Sequence, residues 1–185
     1  MKKFLTLKNI LLCSAALLAL VAFILSFTAN VKFVTSEGYG EQFYNFIWGP
    51  RKLAEFGGGE FAEAPIPAEF LPMPVAALPL VGALLVFLGA VGALVVALLV
   101  KKPFAKWIVL GCGALVVLGG VFFFFFKNGA IKQLAKLMEL TEEEAKQAIA
   151  NVGLKIKSAG AVVAGILGII AGGACVASAL LPEKK

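Results

Sequence analysis

Residues 75–100 read VAALPLVGALLVFLGAVGALVVALLV, 26 consecutive positions without a charge, a side-chain amide or a histidine. About 20 apolar residues in a helix cross the hydrocarbon of a bilayer. No water is available there to bond a free N–H or C=O, so a crossing segment closes its own hydrogen bonds as a helix. This stretch is read as a membrane span. Working outward, three more runs meet the same criterion: residues 10–29 behind the basic start MKKFLTLK, residues 108–126 between Lys106-Trp107 and Lys127, and residues 159–181 between Lys157 and Glu183-Lys184-Lys185. Pro79 lies near one end of the over-long second run, where it can serve as an early helical residue.

The whole chain agrees. It is 61% hydrophobic, with a mean hydropathy of +0.95, which leaves too little polar surface to enclose a soluble core. The expected fold is an all-α integral membrane protein, one domain over residues 1–185, built as a four-transmembrane-helix bundle. Residues 30–74 and 127–158 form the two loops on one side, and residues 101–107 are a tight link on the other. The first run has a basic start like a signal peptide. Its apolar stretch is longer than the usual 7 to 15 residues and no A-x-A-like site follows, so it is read as a retained helix.

Lysine placement sets the expected orientation. With both termini inside, the inner segments hold eight Lys and Arg in 20 residues, against nine in 77 for the outer loops. That contrast favours N-in and C-in. Six lysines in residues 127–158 pull the other way.

Missing residue types exclude chemistry. The chain has no histidine and no aspartate, which removes His-containing zinc sites, Ser-His-Asp triads and Cys-His dyads. Cys13, Cys112 and Cys175 each lie inside an apolar run and read as small buried hydrophobes. No metal or cofactor is expected. Net charge is +6, but the lysines gather at the ends of spans and form no stripe interleaved with aromatics, so nucleic acid is not an expected partner.

In the first outer loop VKFVT reads as a short strand. EQFYNFIW reads either as a strand with Tyr44, Phe46 and Trp48 on one face, or as a helical turn with Phe43, Phe46 and Ile47 together; periodicity leaves both open. Its aromatic density suggests a cap on the outer membrane surface. Six glutamates there read as a solvated face rather than a catalytic acid and base, and no enzyme is expected. Trp48-Gly-Pro-Arg51 is the candidate contact: Arg51 beside Trp48 could hold an anionic headgroup or a partner carboxylate. The plainer alternative is an Arg51 salt bridge within the loop, with Trp48 as an interfacial anchor.

The second outer loop reads as a short amphipathic helical hairpin, with Ile131, Leu134, Leu137 and Met138 on one face. Thr141 and Glu144 have the spacing of a capping box, and Asn151 or Gly153 can end the helix that follows.

Small residues mark the packing faces. The fourth span carries Gly160, Ala164, Gly168 and Gly172 at four-residue spacing, and the second carries Gly89, Ala93 and Ala97. The third holds Gly111, Gly113, Gly119 and Gly120. Such stripes let helices approach closely in lipid, and they offer a surface for homo-oligomer contact. The third span ends in GGVFFFFFKNG, residues 119–129. A helix there would put Phe122 and Phe126 on one face, with Phe123 and Phe124 elsewhere. Lys127 is expected to stop the span and Asn128-Gly129 to turn it. The rings are expected to fit against Gly160, Ala161 and Ala164.

The layout, with short inner ends, a long first outer loop and a shorter second, resembles four-span membrane proteins generally, claudin-like ones among them. The paired loop cysteines of the claudin-like pattern are absent. The expected function is non-enzymatic: a multi-pass protein, bacterial and plasma-membrane by its lysine-rich start and compact loops, whose outer loops contact a partner protein, lipid or envelope component. The alternative is a small transporter or channel subunit acting as an oligomer.

Overall fold

The computed structural model describes residues 7–28, 30–34, 42–45, 49–54, 63–64, 77–99, 105–137 and 139–181. In chain order these form α1 (Leu7–Thr28), β1 (Asn30–Val34), β2 (Gln42–Asn45), β3 (Gly49–Ala54), β4 (Glu63–Ala64), α2 (Ala77–Leu99), α3 (Ala105–Phe122), a 3-10 turn (Phe123–Phe125), α4 (Phe126–Leu137), α5 (Glu142–Asn151), β5 (Lys155–Lys157) and α6 (Ala159–Leu180). Four helical stretches are long and apolar enough to cross a membrane: Leu7–Phe27, Leu78–Leu98, Ala105–Lys132 and Ala159–Leu180. The chain divides into two compact units.

The first unit comprises Met1–Leu25, Val81–Phe123 and Val163–Lys185. Within it, size rather than polarity sorts inside from outside. In α1, Ala15, Ala16, Ala19 and Ala22 are buried while Leu17, Val21 and Ile24 are exposed. In α6, Ala164, Ala171 and Cys175 are buried while Val163, Ile166 and Ile170 are exposed. Lipid tails are as apolar as leucine, so large side chains lose nothing by facing them, and small ones let backbones close in.

The α3 helix carries the closest contacts. A Cβ added at Gly119 would stand 2.5 Å from the Gly82 carbonyl oxygen of α2, and one at Gly120 would stand 2.9 Å from the Gly165 carbonyl oxygen of α6. The same interface continues at Gly113 and Gly172, where a Cβ on Gly172 would meet the Gly113 oxygen at 2.6 Å. Leu12, Ala15 and Ala16 of α1 join Ala93, Val96, Val109, Cys112, Cys175 and Ala179 in one buried cluster drawn from all four helices. Phe23 and Phe87 tilt against each other at 4.9 Å between centroids.

Strict four-residue stripes drift about 40° per step around a helix. The buried seam therefore leaves the expected positions at their ends. Ala164, Gly168 and Gly172 are buried, whereas Gly160 is only half-buried; Gly89 and Ala93 are buried, whereas Ala97 is half-buried. Gly111 and Gly173 face open space. Gly82 completes the α2 contact, one heptad before Gly89.

The third span departs from expectation at its end. The helix does not stop at Lys127 or turn at Asn128-Gly129; it runs on through α4 to Leu137. Gly129 is buried, so it serves packing rather than a turn. The phenylalanines also sort differently. Phe123 is fully buried and Phe126 nearly so, while Phe124 and Phe125 are exposed. In a 3-10 turn, residues three apart eclipse, which pairs Phe123 with Phe126 in place of Phe122 with Phe126. A Cβ added at Gly82 of α2 would stand 2.9 Å from Phe122 Cβ and 3.4 Å from Phe123 Cδ1.

The second unit comprises Ser26–Leu80 and Phe124–Val162. Its described strands form one antiparallel sheet in the order β4-β3-β2-β1-β5, and α4 packs on α5 and touches β5. The four spans fit an all-α membrane bundle and α4 and α5 are helical, while the described residues of the first loop contribute strands. In the first outer loop the described residues of EQFYNFIW take the strand alternative, and residues 155–157, expected within a helical loop, are a strand.

Gly120→Ala should lower the thermal stability of the detergent-solubilised protein by roughly 1–3 kcal/mol, the usual range for overpacking. Gly111→Ala, facing open space, should be neutral or stabilise by up to about 1 kcal/mol through helix propensity. Equal melting shifts for the two variants would contradict this packing.

Candidate functional site

In the chain, β1 follows α1 and β5 precedes α6. β1 begins at Asn30, just past the α1 end at Thr28, and β5 ends at Lys157, just before α6 begins at Ala159. Between β5 and α6 sits buried Ser158, whose Oγ accepts the Ala161 N–H at 3.2 Å. That is an N-cap, which satisfies one of the orphan donors of the first turn.

Register fixes which positions share a face. β5 pairs with β1 as Lys32↔Lys157, Phe33↔Ile156 and Val34↔Lys155. β1 pairs with β2 as Asn30↔Asn45, Val31↔Tyr44, Lys32↔Phe43 and Phe33↔Gln42. β2 pairs with β3 through Phe43↔Lys52, Tyr44↔Pro50 and Asn45↔Gly49, so Arg51 is the extra residue of a bulge. Successive strand positions alternate between faces. One face therefore holds positions 30, 32, 34, 43, 45, 52, 155 and 157, and the other holds 31, 33, 42, 44, 53 and 156. In β5, Lys155 and Lys157 are exposed and flank half-buried Ile156. Of the candidate contact residues, Arg51 lies in β3 at the bulge, and Trp48 lies outside the described residues. The signal for β5 was available in the K-I-K alternation after Gly153, but three residues are too few to outweigh the helical pattern before them.

The α4–α5 hairpin is held by its ends. Leu140 N–H donates to the Ala135 carbonyl at 2.8 Å across Glu139, whose φ is 54°. The capping box forms: Thr141 N–H donates to Glu144 Oε2 at 2.8 Å, and Glu144 N–H donates to Thr141 Oγ1 at 3.3 Å. The Thr141 hydroxyl also donates to Glu144 Oε2, at 2.8 Å. These donors, the backbone N–H first, hold the Glu144 carboxyl below its ordinary value. Glu142 pairs with Lys132 of α4 at 3.5 Å. α5 closes on Gly153 at φ 68°, with Leu154 N–H donating to Ile149 O at 2.9 Å and Gly153 N–H to Ala150 O at 3.1 Å. That is a Schellman motif.

Among the described residues the buried polar side chains are Ser26, Ser158 and Ser178. Ser178 Oγ donates to the Cys175 carbonyl at 2.7 Å. No group of three or more metal-ligating side chains gathers among them. No protein-family model matches the chain, and no curated protein matches it.

Two outcomes follow for the hairpin. Glu139→Gly should stabilise it by about 1 kcal/mol, because a non-glycine residue carries a steric cost in the left-handed region; slower amide exchange across α4 and α5 is the readout. Because the folded Glu144 carboxyl is depressed, its contribution is present above the unfolded carboxylate value and is lost as pH falls through the folded one. Glu144→Gln should therefore flatten the acid limb of α5 exchange protection below the unfolded carboxylate value. An unchanged limb would remove the capping box from the account.

Proposed function

We propose that this is a non-enzymatic multi-pass membrane protein of the bacterial plasma membrane, whose extramembrane platform contacts a partner protein, a lipid or an envelope component. What supports the reading is the joining of two distant loops: β5, from residues after the third span, extends the sheet built from residues before the second. A passive tether needs no such non-local pairing, whose loop-closure cost must be met before any contact forms. A sheet joining two loops, with exposed Lys155 and Lys157 on its edge strand, is suited to recognition. The density of lysines puts both termini inside and the platform outside. Arg51, at a bulge of the kind that re-aims side chains near functional sites, is with Trp48 the candidate contact. Self-association through the lipid-facing helices belongs to the same reading.

Crosslinking in native membranes, followed by identification of copurifying proteins, tests the partner component. A reproducible partner lost on Arg51→Ala is the expected result. Recovery of this chain alone would count against a protein partner.

A further inference from the structure

Four serines lie in or just before the long apolar helices: Ser14, Ser26, Ser158 and Ser178. Three are buried and partnered. Ser158 accepts the Ala161 N–H, Ser178 donates to the Cys175 carbonyl, and Ser26 is partnered too. Ser14 is the exception. It is exposed, and its hydroxyl has no hydrogen-bond partner among the described residues. α1 is long and apolar enough to cross a membrane from Leu7 to Phe27. At 1.5 Å per residue, Ser14 lies about 10 Å from one end of that stretch and about 20 Å from the other. Water does not reach a hydroxyl at that depth, and hydrocarbon offers it no bond.

The residues around Ser14 form a seam. Leu7, Ile10, Leu17, Val21 and Ile24 are exposed as well. With Ser14 they follow the alternation of three and four residues along which two helices pair with a left-handed crossing. The other lipid-facing helices share that periodicity; the polar member sets α1 apart. Over residues 78–98, 108–125 and 159–180, no exposed side chain bears a hydroxyl, an amide or a charge. Lipid tails cover the five apolar positions of the seam without cost, but they leave the hydroxyl unbonded. A second copy of the chain does not. Copies inserted with one orientation pair about a two-fold axis along the membrane normal, which brings each seam residue to its own equivalent at the same depth. A hydroxyl both donates and accepts, so Ser14 is complementary to itself. It is also the smallest side chain of the seam, so the two axes approach most closely there. One polar side chain in such a seam fixes its register.

We propose that the chain forms a parallel homodimer through this face of α1, with a hydrogen bond between the two Ser14 hydroxyls at the point of closest approach. The inference rests on the reading of the chain as a self-associating multi-pass membrane protein, and it names the helix and the residue that carry the association. The packed core does not compete for the seam, because Leu12, Ala15 and Ala16 on the other side of α1 are the residues that enter the buried cluster.

The test uses the full chain in native membranes, with Cys13→Ala as background because Cys13 neighbours the seam. Ser14→Cys, Leu17→Cys and Val21→Cys are made singly on the seam, and Leu88→Cys on α2 and Ile170→Cys on α6 serve as controls. After oxidation with copper phenanthroline, the three seam variants should yield disulfide-linked dimer and the two controls should not. If Ser14→Cys does not insert, Leu17→Cys and Val21→Cys carry this arm. Energy transfer between copies labelled at the C-terminus, in lipid vesicles, then reads the dimer dissociation constant. Ser14→Ala should raise it about threefold, the usual worth of a polar contact between membrane helices. Ser14→Thr, which keeps the hydroxyl, should stay close to wild type. An unchanged constant in Ser14→Ala overturns the proposal, because the hydroxyl is then bonded within its own helix. Dimer linked only through Leu88→Cys or Ile170→Cys overturns the α1 seam and leaves self-association standing. No dimer in either measurement overturns both, while a copurifying envelope protein would still leave the recognition reading standing.

Discussion

Two consecutive glycines let one helix touch two neighbours at backbone distance. Successive helical residues point about 100° apart, so Gly119 opens α3 toward Gly82 of α2 while Gly120 opens it toward Gly165 and Gly168 of α6. In hydrocarbon, burying an apolar side chain against another gains little over leaving it in lipid. What holds helices together is dispersion at close range, which falls away steeply if the axes part by even an ångström. The alanines of α1 and the Cys112–Cys175 region of the core cluster fill in around α3 because it has already drawn α2 and α6 together.

The same economy of space explains the five phenylalanines. A continuous α-helix would scatter them around its axis. One 3-10 turn instead aligns Phe123 with Phe126 on the buried side and leaves Phe124 and Phe125 outside. At Gly82 a side chain would collide with the Gly119 carbonyl oxygen and Phe122 Cβ, so the absence of one lets this end of α3 close on α2. The phenylalanine run is a splice between a long apolar helix and the amphipathic helix that continues from it.

Outside the spans, order comes from pairing at a distance. The strand β5 has three residues and little intrinsic preference to be extended. It becomes a strand because Gly153 ends α5, Ser158 starts α6, and the short segment between them lies against β1. Lys32 and Lys157 are 125 positions apart in the chain, and neither carries any mark of the other in its local sequence. Arg51 was singled out for its chemistry, but its place at a bulge follows from the one-residue slip between β2 and β3.

Local composition by itself determined that four segments are helices long and apolar enough to cross a membrane, because the cost of an unbonded backbone in lipid depends only on what surrounds each residue. It also determined the capping box at Thr141 and Glu144, since both partners lie within one helical turn. The tertiary structure alone decided which small residues meet which neighbour. A four-residue stripe names a face but not its partner, and its drift moved Gly160 and Ala97 toward the edge of the seam while bringing in Gly82. It also decided that the third span runs past Lys127, because burial of Gly129 outweighed its turn propensity, and that two loops form one sheet, because strand pairing is a relation between distant residues rather than a property of either.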